Sequence, residues 1–139
     1  MNKHAIGIDI GGTTTKFGIV NAAGEILAQS RIPTNKHEKV EDFIDDLFIG
    51  LSTLIEQHGD FENFVGIGVG APNGNYYSGT IEYAPNLLWK GIIPIAQLIQ
   101  NKFNLSVKLT NDANAAAVGE MQYGCAKGIK HFITITLGT

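Results

Sequence analysis

The chain has 139 residues, of which 44% are hydrophobic and 17% charged, a composition typical of one folded domain. Its formal net charge is −3, and no two Lys or Arg residues are adjacent, which argues against binding to nucleic acid or an anionic membrane. The single cysteine, Cys125, excludes an internal disulfide and cannot form a zinc site alone. The longest apolar run, residues 64–71, is too short to cross a bilayer, and the N-terminus does not resemble a signal peptide. We therefore expect a cytoplasmic domain.

Alternating small and branched residues predict three strands near the N-terminus, at residues 5–10, 16–21 and 25–32. Glycine-containing turns separate them, so they form an antiparallel meander. Apolar residues then recur every three or four positions from Val40 to Ile55, which predicts an amphipathic helix that stops at Gly59.

The second half of the chain alternates strands and helices. Residues 63–69 are continuously apolar, which predicts a buried, central, parallel strand. Residues 72–86 are rich in glycine, asparagine and tyrosine and predict an irregular functional loop that can include a hairpin. The chain then predicts a helix, a strand, an alanine-rich helix and a closing strand: residues 92–103, 106–109, 113–123 and 131–137. This order is that of an α/β fold.

Two segments of the chain resemble each other. Residues 4–13 and residues 131–139 are both apolar strands that run into a turn containing glycine and threonine. Such an echo is consistent with two duplicated halves, although chance similarity between two strands is common.

The first candidate site is the turn that follows the first strand. Paired glycines, Gly11 and Gly12, leave backbone N–H groups free to meet a phosphate, and Thr13 adds a hydroxyl donor. Asp9 at the strand end is suited to holding Mg²⁺ through water. The alternative is a tight hairpin turn with an aspartate nearby. It is not a Walker loop, because no Gly-Lys-Thr follows.

The second candidate site is Asn111-Asp112, which lies between a predicted strand and the alanine-rich helix. A helix N-terminus favours an ionised carboxylate, the form that a general base needs. The alternative is an ordinary helix cap, for which Asn and Asp are the preferred residues.

Five motifs in order resemble the ROK family of sugar kinases and sugar-sensing repressors. They are Asp-x-Gly-Gly-Thr-x-x-Lys, Gly-Ala-Pro, Pro-Asn-Leu, Asn-Asp-Ala-Asn-Ala-Ala and a closing Leu-Gly-Thr, at residues 9–16, 70–72, 85–87, 111–116 and 137–139.

The resemblance implies an actin-like, ribonuclease-H-like fold, with a mixed sheet flanked by helices and two lobes that close over ATP and a hexose. It makes Asp112 the catalytic base and a sugar ligand. The other implied sugar ligands are Gly74, Asn86 and Asn111. The implied ATP ligands are Asp9, Gly11, Gly12, Thr13, Lys16, Gly138 and Thr139, with Mg²⁺ at Asp9.

The sequence departs from the family at residues 72–75, which read Pro-Asn-Gly-Asn where Pro-Gly-Pro is common. We expect residues 1–124 to form the N-terminal lobe and residues 125–139 to begin a second lobe. The family's further sugar-binding Glu and His, its zinc segment and its adenosine pocket would lie beyond this end. Because catalysis needs both lobes to enclose the phosphates, we expect this chain alone to be inactive. We also expect the protein to be a homo-oligomer.

Two other functions remain open. One is the sugar-sensing domain of a repressor of the same family, although little sequence precedes the first strand to form a DNA-binding helix pair. The other is an actin-like ATPase of the chaperone or cell-division kind, against which the Pro-Asn-Leu and Asn-Asp motifs argue. The four histidines lack metal-ligand spacing, and we expect surface or strand-end positions for them. Three tyrosines and Trp89 in residues 72–91 either stack on a sugar or pack the loop.

Overall fold

A computed structural model of the chain describes residues 3–59 and 61–137. Within these residues the α-helices are α1 (Val40–His58), α2 (Ile95–Phe103) and α3 (Asp112–Tyr123), and a 3₁₀ turn spans Phe61–Asn63. The strands are β1 (His4–Ile10), β2 (Thr14–Asn21), β3 (Ile26–Pro33), β4 (Phe64–Ala71), β5 (Gly74–Asn75), β6 (Thr80–Glu82), β7 (Ile92–Ile93) and β8 (Val107–Asn111).

Five strands form a mixed sheet in the order β3-β2-β1-β4-β8. The first three are antiparallel neighbours, whereas β4 lies between β1 and β8 and is parallel to both. The predicted meander and the predicted central parallel strand are therefore confirmed. The parallel arrangement brings the carboxyl ends of β1, β4 and β8 to the same edge of the sheet.

One face of the sheet carries the hydrophobic core. Alternate residues of β1, Ile6, Ile8 and Ile10, are almost completely buried on this face. Helix α1 covers it with the buried side chains Phe43, Ile44, Leu47, Leu51, Leu54 and Ile55. Each such side chain contributes about 1.5–3 kcal/mol of hydrophobic stabilisation, so the amphipathic stripe that predicted α1 also fastens it to the sheet.

Small residues line the opposite face of the sheet. A Cβ atom at Gly70 of β4 would lie 3.2 Å from the Ala115 Cβ atom and 3.5 Å from the Asp112 Cα atom. The glycine thus lets α3 pack closely on β4.

A second, three-stranded sheet of order β5-β6-β7 lies in the segment expected to be an irregular loop and the start of a helix. Strands β5 and β6 pair antiparallel and form the hairpin that was considered for this loop. The helix predicted from residue 92 begins at Ile95, with Pro94 as its N-cap. The earlier start was wrong because a residue that precedes proline is sterically disfavoured in helical conformation. Ile92 and Ile93 instead pair with Glu82 and Ile81 of β6.

The predicted closing strand at residues 131–137 is absent from the described part of the chain. Ile133 is 89% exposed and Leu137 is 91% exposed. An apolar sequence forms a strand only where a neighbouring strand supplies hydrogen bonds, and this segment pairs with none of the described strands. None of the described helices is long and apolar enough to span a membrane.

Candidate active site

The carboxyl ends of the three parallel strands bring two candidate segments together. Asp9 of β1 is in register with Gly70 of β4, and Gly70 is in register with Thr110 of β8. Asp112 follows Thr110 by two residues, at the first position of α3. In α/β sheets this edge is where ligands bind.

A cleft of about 770 Å³ extends over the face of the sheet opposite the core and reaches this edge. Asp9, Lys16 and Asp112 all line it. Lys16 is the direct cross-strand partner of Asp9 in the β1–β2 pair. Lys108 lines the cleft as well, so two carboxylates and two ammonium groups border one cavity, which is a suitable set of charged groups for a magnesium–phosphate group.

The glycine turn closes through a hydrogen bond in which the Gly11 N–H donates to the Thr14 carbonyl at 3.1 Å. Among the described residues, the N–H groups of Gly12 and Thr13 donate to no acceptor in the protein. The Thr34 N–H anchors the turn by donating to the Thr13 carbonyl at 2.8 Å. The turn thus offers two free N–H donors on a fixed backbone. It is also a tight hairpin turn with Asp9 nearby, so the structure is compatible with both interpretations made from the sequence.

The segment that carries Asn86 packs against this turn. A Cβ atom at Gly12 would lie 2.6 Å from the Asn86 carbonyl oxygen and 3.2 Å from the Asn86 Cβ atom. Ala84 and Leu87, on either side, are buried and hold the segment down, whereas Asn86 itself is exposed. The turn and a predicted sugar ligand are therefore direct neighbours.

Asn111 caps α3. Its Oδ1 atom accepts hydrogen bonds from the N–H groups of Ala113 and Asn114, at 3.0 and 3.4 Å. Asp112 is exposed, and its Oδ1 atom accepts from the Ala113 N–H at 2.8 Å. The capping interpretation of Asn111 is confirmed, and it is compatible with a site here because its Nδ2 group is left to act as a donor.

Gly74 has a packing reason to be glycine. A Cβ atom there would lie 2.6 Å from the Thr110 carbonyl oxygen. The loop after β4 therefore rests on the end of β8, directly before Asn111 and Asp112. Like Asn86 and Asn111, Gly74 does not line the cleft, and the predicted ATP ligands Gly138 and Thr139 lie outside the described residues.

His37 and Trp89 form a buried link that sequence patterns missed. His37 is only 5% exposed, so its expected position at the surface or a strand end was wrong. Trp89 Nε1 donates to the His37 carbonyl at 3.0 Å, and the Trp89 ring centroid lies 4.7 Å from that of Phe43. Of the two interpretations of Trp89, packing of the loop is the one observed. No spacing signal marks such a contact, because the two residues are distant in sequence.

The mixed sheet with its layered helices and its cleft at the strand ends has the actin-like ATPase fold. A crystal structure of a ROK family glucokinase from Streptomyces griseus, in complex with glucose and AMPPNP, superposes with a TM-score of 0.75 and 31% identity. The match covers 90% of this chain and 38% of that one.

The sequence model of the ROK family matches residues 5–139, and the chain belongs to this family. A glucokinase from Halalkalibacterium halodurans is 36% identical over 99% of this chain and 42% of its own length. A putative xylose repressor from a Caldicellulosiruptor species is 33% identical over 99% of this chain and 36% of its own length. The chain thus spans about 40% of the curated glucokinases that it matches.

Proposed function

We propose that this chain is the N-terminal lobe of an ATP-dependent hexose kinase that acts on glucose or a similar sugar. The observation that carries the proposal is the shared cleft of Asp9, Lys16 and Asp112 at the ends of parallel strands. The similarity to a glucokinase solved with glucose and AMPPNP supports both ligands.

Asp112 acts as the general base in this proposal. Its position at the N-terminus of α3 favours the ionised carboxylate, which accepts the proton of the attacking sugar hydroxyl. Asn111, Asn86 and Gly74 border the proposed sugar subsite. The Asn111 amide nitrogen suits a sugar hydroxyl, because the amide oxygen already accepts two helix N–H groups.

Bound Mg-ATP supplies the phosphoryl group. The free N–H groups of Gly12 and Thr13 and the Lys16 ammonium group stabilise the negative charge of the phosphates, and Gly11 shapes the turn. Gly138 and Thr139 would add the matching turn of the second lobe. Phosphoryl transfer depends mostly on positioning and charge neutralisation, which these groups supply.

Asp9 would hold Mg²⁺ through water. The described residues contain no group of three or more His, Cys, Asp or Glu side chains around one point. A single exposed carboxylate fits an ion that keeps several of its waters and takes its remaining ligands from phosphate oxygens.

We further propose that residues 1–124 form this lobe and that residues 125–139 begin a second lobe, which completes the ATP and sugar sites. The complete protein is then the unit to assay. Any zinc site of the family would belong to that second lobe.

Replacing the proposed base tests the reaction. In the complete kinase, Asp112→Asn should lower kcat with glucose by roughly 10²–10⁴-fold, the usual loss when a general base is removed. Glucose affinity, measured by isothermal titration calorimetry, should change only a few-fold. Asp45→Asn, the same substitution at an exposed carboxylate of α1, is the matched control and should leave kcat unchanged. Near-normal turnover of Asp112→Asn would remove Asp112 from the base role.

A sugar-sensing domain of a repressor is the second candidate, and it is favoured by the similarity to a putative xylose repressor. A repressor binds the sugar without consuming ATP. A coupled assay of the complete wild-type protein separates the two: sugar-dependent ADP release supports the kinase, whereas sugar binding without turnover supports the repressor.

A further inference from the structure

Asn73 lies where the sequence departs from the common family pattern. Its backbone has φ of 51°, in the left-handed region that asparagine and glycine adopt most readily. Asparagine therefore preserves the backbone shape that a glycine would give there. What it adds is a side chain.

The Asn73 side chain fastens the end of β6. Its Nδ2 group donates to the Glu82 carbonyl at 2.9 Å and to the Tyr83 carbonyl at 3.3 Å. The Glu82 N–H returns a hydrogen bond to the Asn73 carbonyl at 3.1 Å. Both groups that accept from the Asn73 side chain are backbone carbonyl oxygens, so only a hydrogen-bond donor fits at the end of this side chain.

Tyr83 is held in an unfavourable conformation at this junction. Its φ is 51°, a left-handed value that is rare for a bulky residue, and its side chain is 70% exposed. The burial of its own side chain therefore does not explain the strain. Its N–H donates to the Gly91 carbonyl at 2.8 Å, and its carbonyl accepts from Asn73. These bonds hold the left-handed turn, after which the chain runs to Asn86 and packs on the glycine turn.

Asn73 thus connects two parts of the proposed sugar subsite. On one side, the adjacent Gly74 rests on the Thr110 carbonyl, next to Asn111 and Asp112. On the other side, the Tyr83 turn leads within three residues to Asn86, which packs on Gly12.

We propose that Asn73 is a positioning residue that sets the location of Asn86 relative to the end of β8, and so tunes sugar affinity without touching the sugar. This inference rests on the proposed sugar subsite. It predicts that Asn73 acts through Asn86, and that replacing Asn73 lowers the affinity for the sugar but not the affinity for the nucleotide.

The test uses Asn73→Gly and Asn73→Asp in the complete protein, titrated separately with glucose and with AMPPNP. Asn73→Gly keeps the backbone conformation and removes both side-chain hydrogen bonds, so glucose affinity should fall roughly tenfold while AMPPNP affinity stays within about twofold. Asn73→Asp should be worse, because it presents an oxygen to two carbonyl oxygens. In steady-state kinetics KM for glucose should rise with little change in kcat, since Asp112 is untouched.

Asn104→Gly is the matched control. Asn104 has φ of 53° at the C-terminus of α2, away from the cleft, so the same substitution occurs in the same backbone conformation. It should leave both affinities unchanged. Equal losses of glucose and AMPPNP affinity in Asn73→Gly, together with a lowered melting temperature, would make Asn73 merely structural and overturn the inference.

A double-mutant cycle with Asn86→Ala separates this inference from the proposed function. If Asn73 acts through Asn86, Asn73→Gly has no further effect on glucose affinity once Asn86 is alanine. Additive losses of glucose affinity overturn the inference alone. The same holds if Asn73→Gly has normal glucose affinity while Asn86→Ala binds glucose more weakly. An Asn86→Ala variant with normal glucose affinity overturns the proposed sugar subsite and this inference together.

Discussion

At the scale of single residues, Gly12 joins the glycine turn to the segment of Asn86. The close approach of the Asn86 carbonyl requires a glycine at this position, and the proposed phosphate site supplies a second reason. The two reasons concern different atoms of the same residue: the N–H is the proposed phosphate donor, and the missing Cβ makes room for a neighbouring chain segment.

Gly12→Ala should therefore affect both folding and sugar binding. The new methyl group would lie 2.6 Å from a backbone oxygen, so the Asn86 segment must move. We expect a loss of about 1–3 kcal/mol in the free energy of unfolding, the usual cost of overpacking, measured by urea denaturation of the chain. In the complete protein, glucose affinity should fall in parallel.

Gly119→Ala is the control for this substitution. An added methyl group at Gly119 of α3 meets nothing within 4 Å, so the change should stabilise the helix by about 0.5–1 kcal/mol. Wild-type stability and glucose affinity in Gly12→Ala would mean that the turn yields without moving Asn86.

At the scale of elements, α1 is connected to the loop before it by an ion pair. The His37 Nε2 atom lies 2.7 Å from Oδ2 of Asp46, and Lys36 Nζ lies 3.6 Å from the same oxygen. The hydrogen bond from His37, assisted by the charge of Lys36, lowers the pKa of Asp46 below its usual value. Because Trp89 also binds the His37 carbonyl, this loop links α1 to the segment that carries Asn86.

The depressed pKa of Asp46 predicts the direction of a pH effect. The folded state favours the ionised carboxylate, so the stabilisation is fully present above the unfolded pKa of about 3.9. It is lost as the pH falls from there through the lower folded pKa. The melting temperature of wild type should therefore exceed that of Asp46→Asn at neutral pH and converge with it in strong acid.

Glu56→Gln removes an exposed carboxylate of the same helix without touching His37, and it reports the effect of net charge alone. Its melting curve should follow that of wild type across the acid range more closely than Asp46→Asn does. Parallel pH curves for wild type and Asp46→Asn would show that the ion pair adds no stability.

At the scale of the whole molecule, the C-terminal segment is the least integrated part of the described chain. Ile133, Ile135 and Leu137 are 89%, 78% and 91% exposed. An apolar segment with free backbone groups is a template for pairing with another chain. We therefore predict that the 139-residue chain self-associates through residues 129–139.

Static light scattering at tens of micromolar checks this prediction against a version that ends at Gly128. The full chain should associate and the shortened chain should be monomeric, because the shortened chain lacks the exposed apolar side chains of the C-terminal segment. If both the full chain and the shortened chain are monomeric, the prediction of self-association is wrong. A thermal melt of both versions shows whether the shortened chain remains folded.

The helices and strands could be predicted from the sequence because the spacing of apolar residues differs between helices and strands. The stripe from Val40 to Ile55 predicted α1, and the apolar run after residue 63 predicted β4 and its central, parallel position. The predicted start of α2 at residue 92 was wrong because Pro94 disfavours a helical conformation in the residue before it. The strand at residues 131–137 was wrong because an apolar pattern reports β-propensity and not the presence of a partner.

The sequence by itself determined the family, the actin-like lobe and the list of candidate residues, because motif order and local periodicity are properties of neighbours in the chain. Only the tertiary structure decided which candidates meet. Asp9, Lys16 and Asp112 border one cleft, Gly12 packs on Asn86, and Gly74 rests on β8. The contacts of Asn73 were likewise decided by the tertiary structure, because its two acceptors are carbonyl groups that the chain brings back only after the β5–β6 hairpin. Contacts of this kind depend on strand order and on close approach of backbones, and neither leaves a repeating pattern in the sequence.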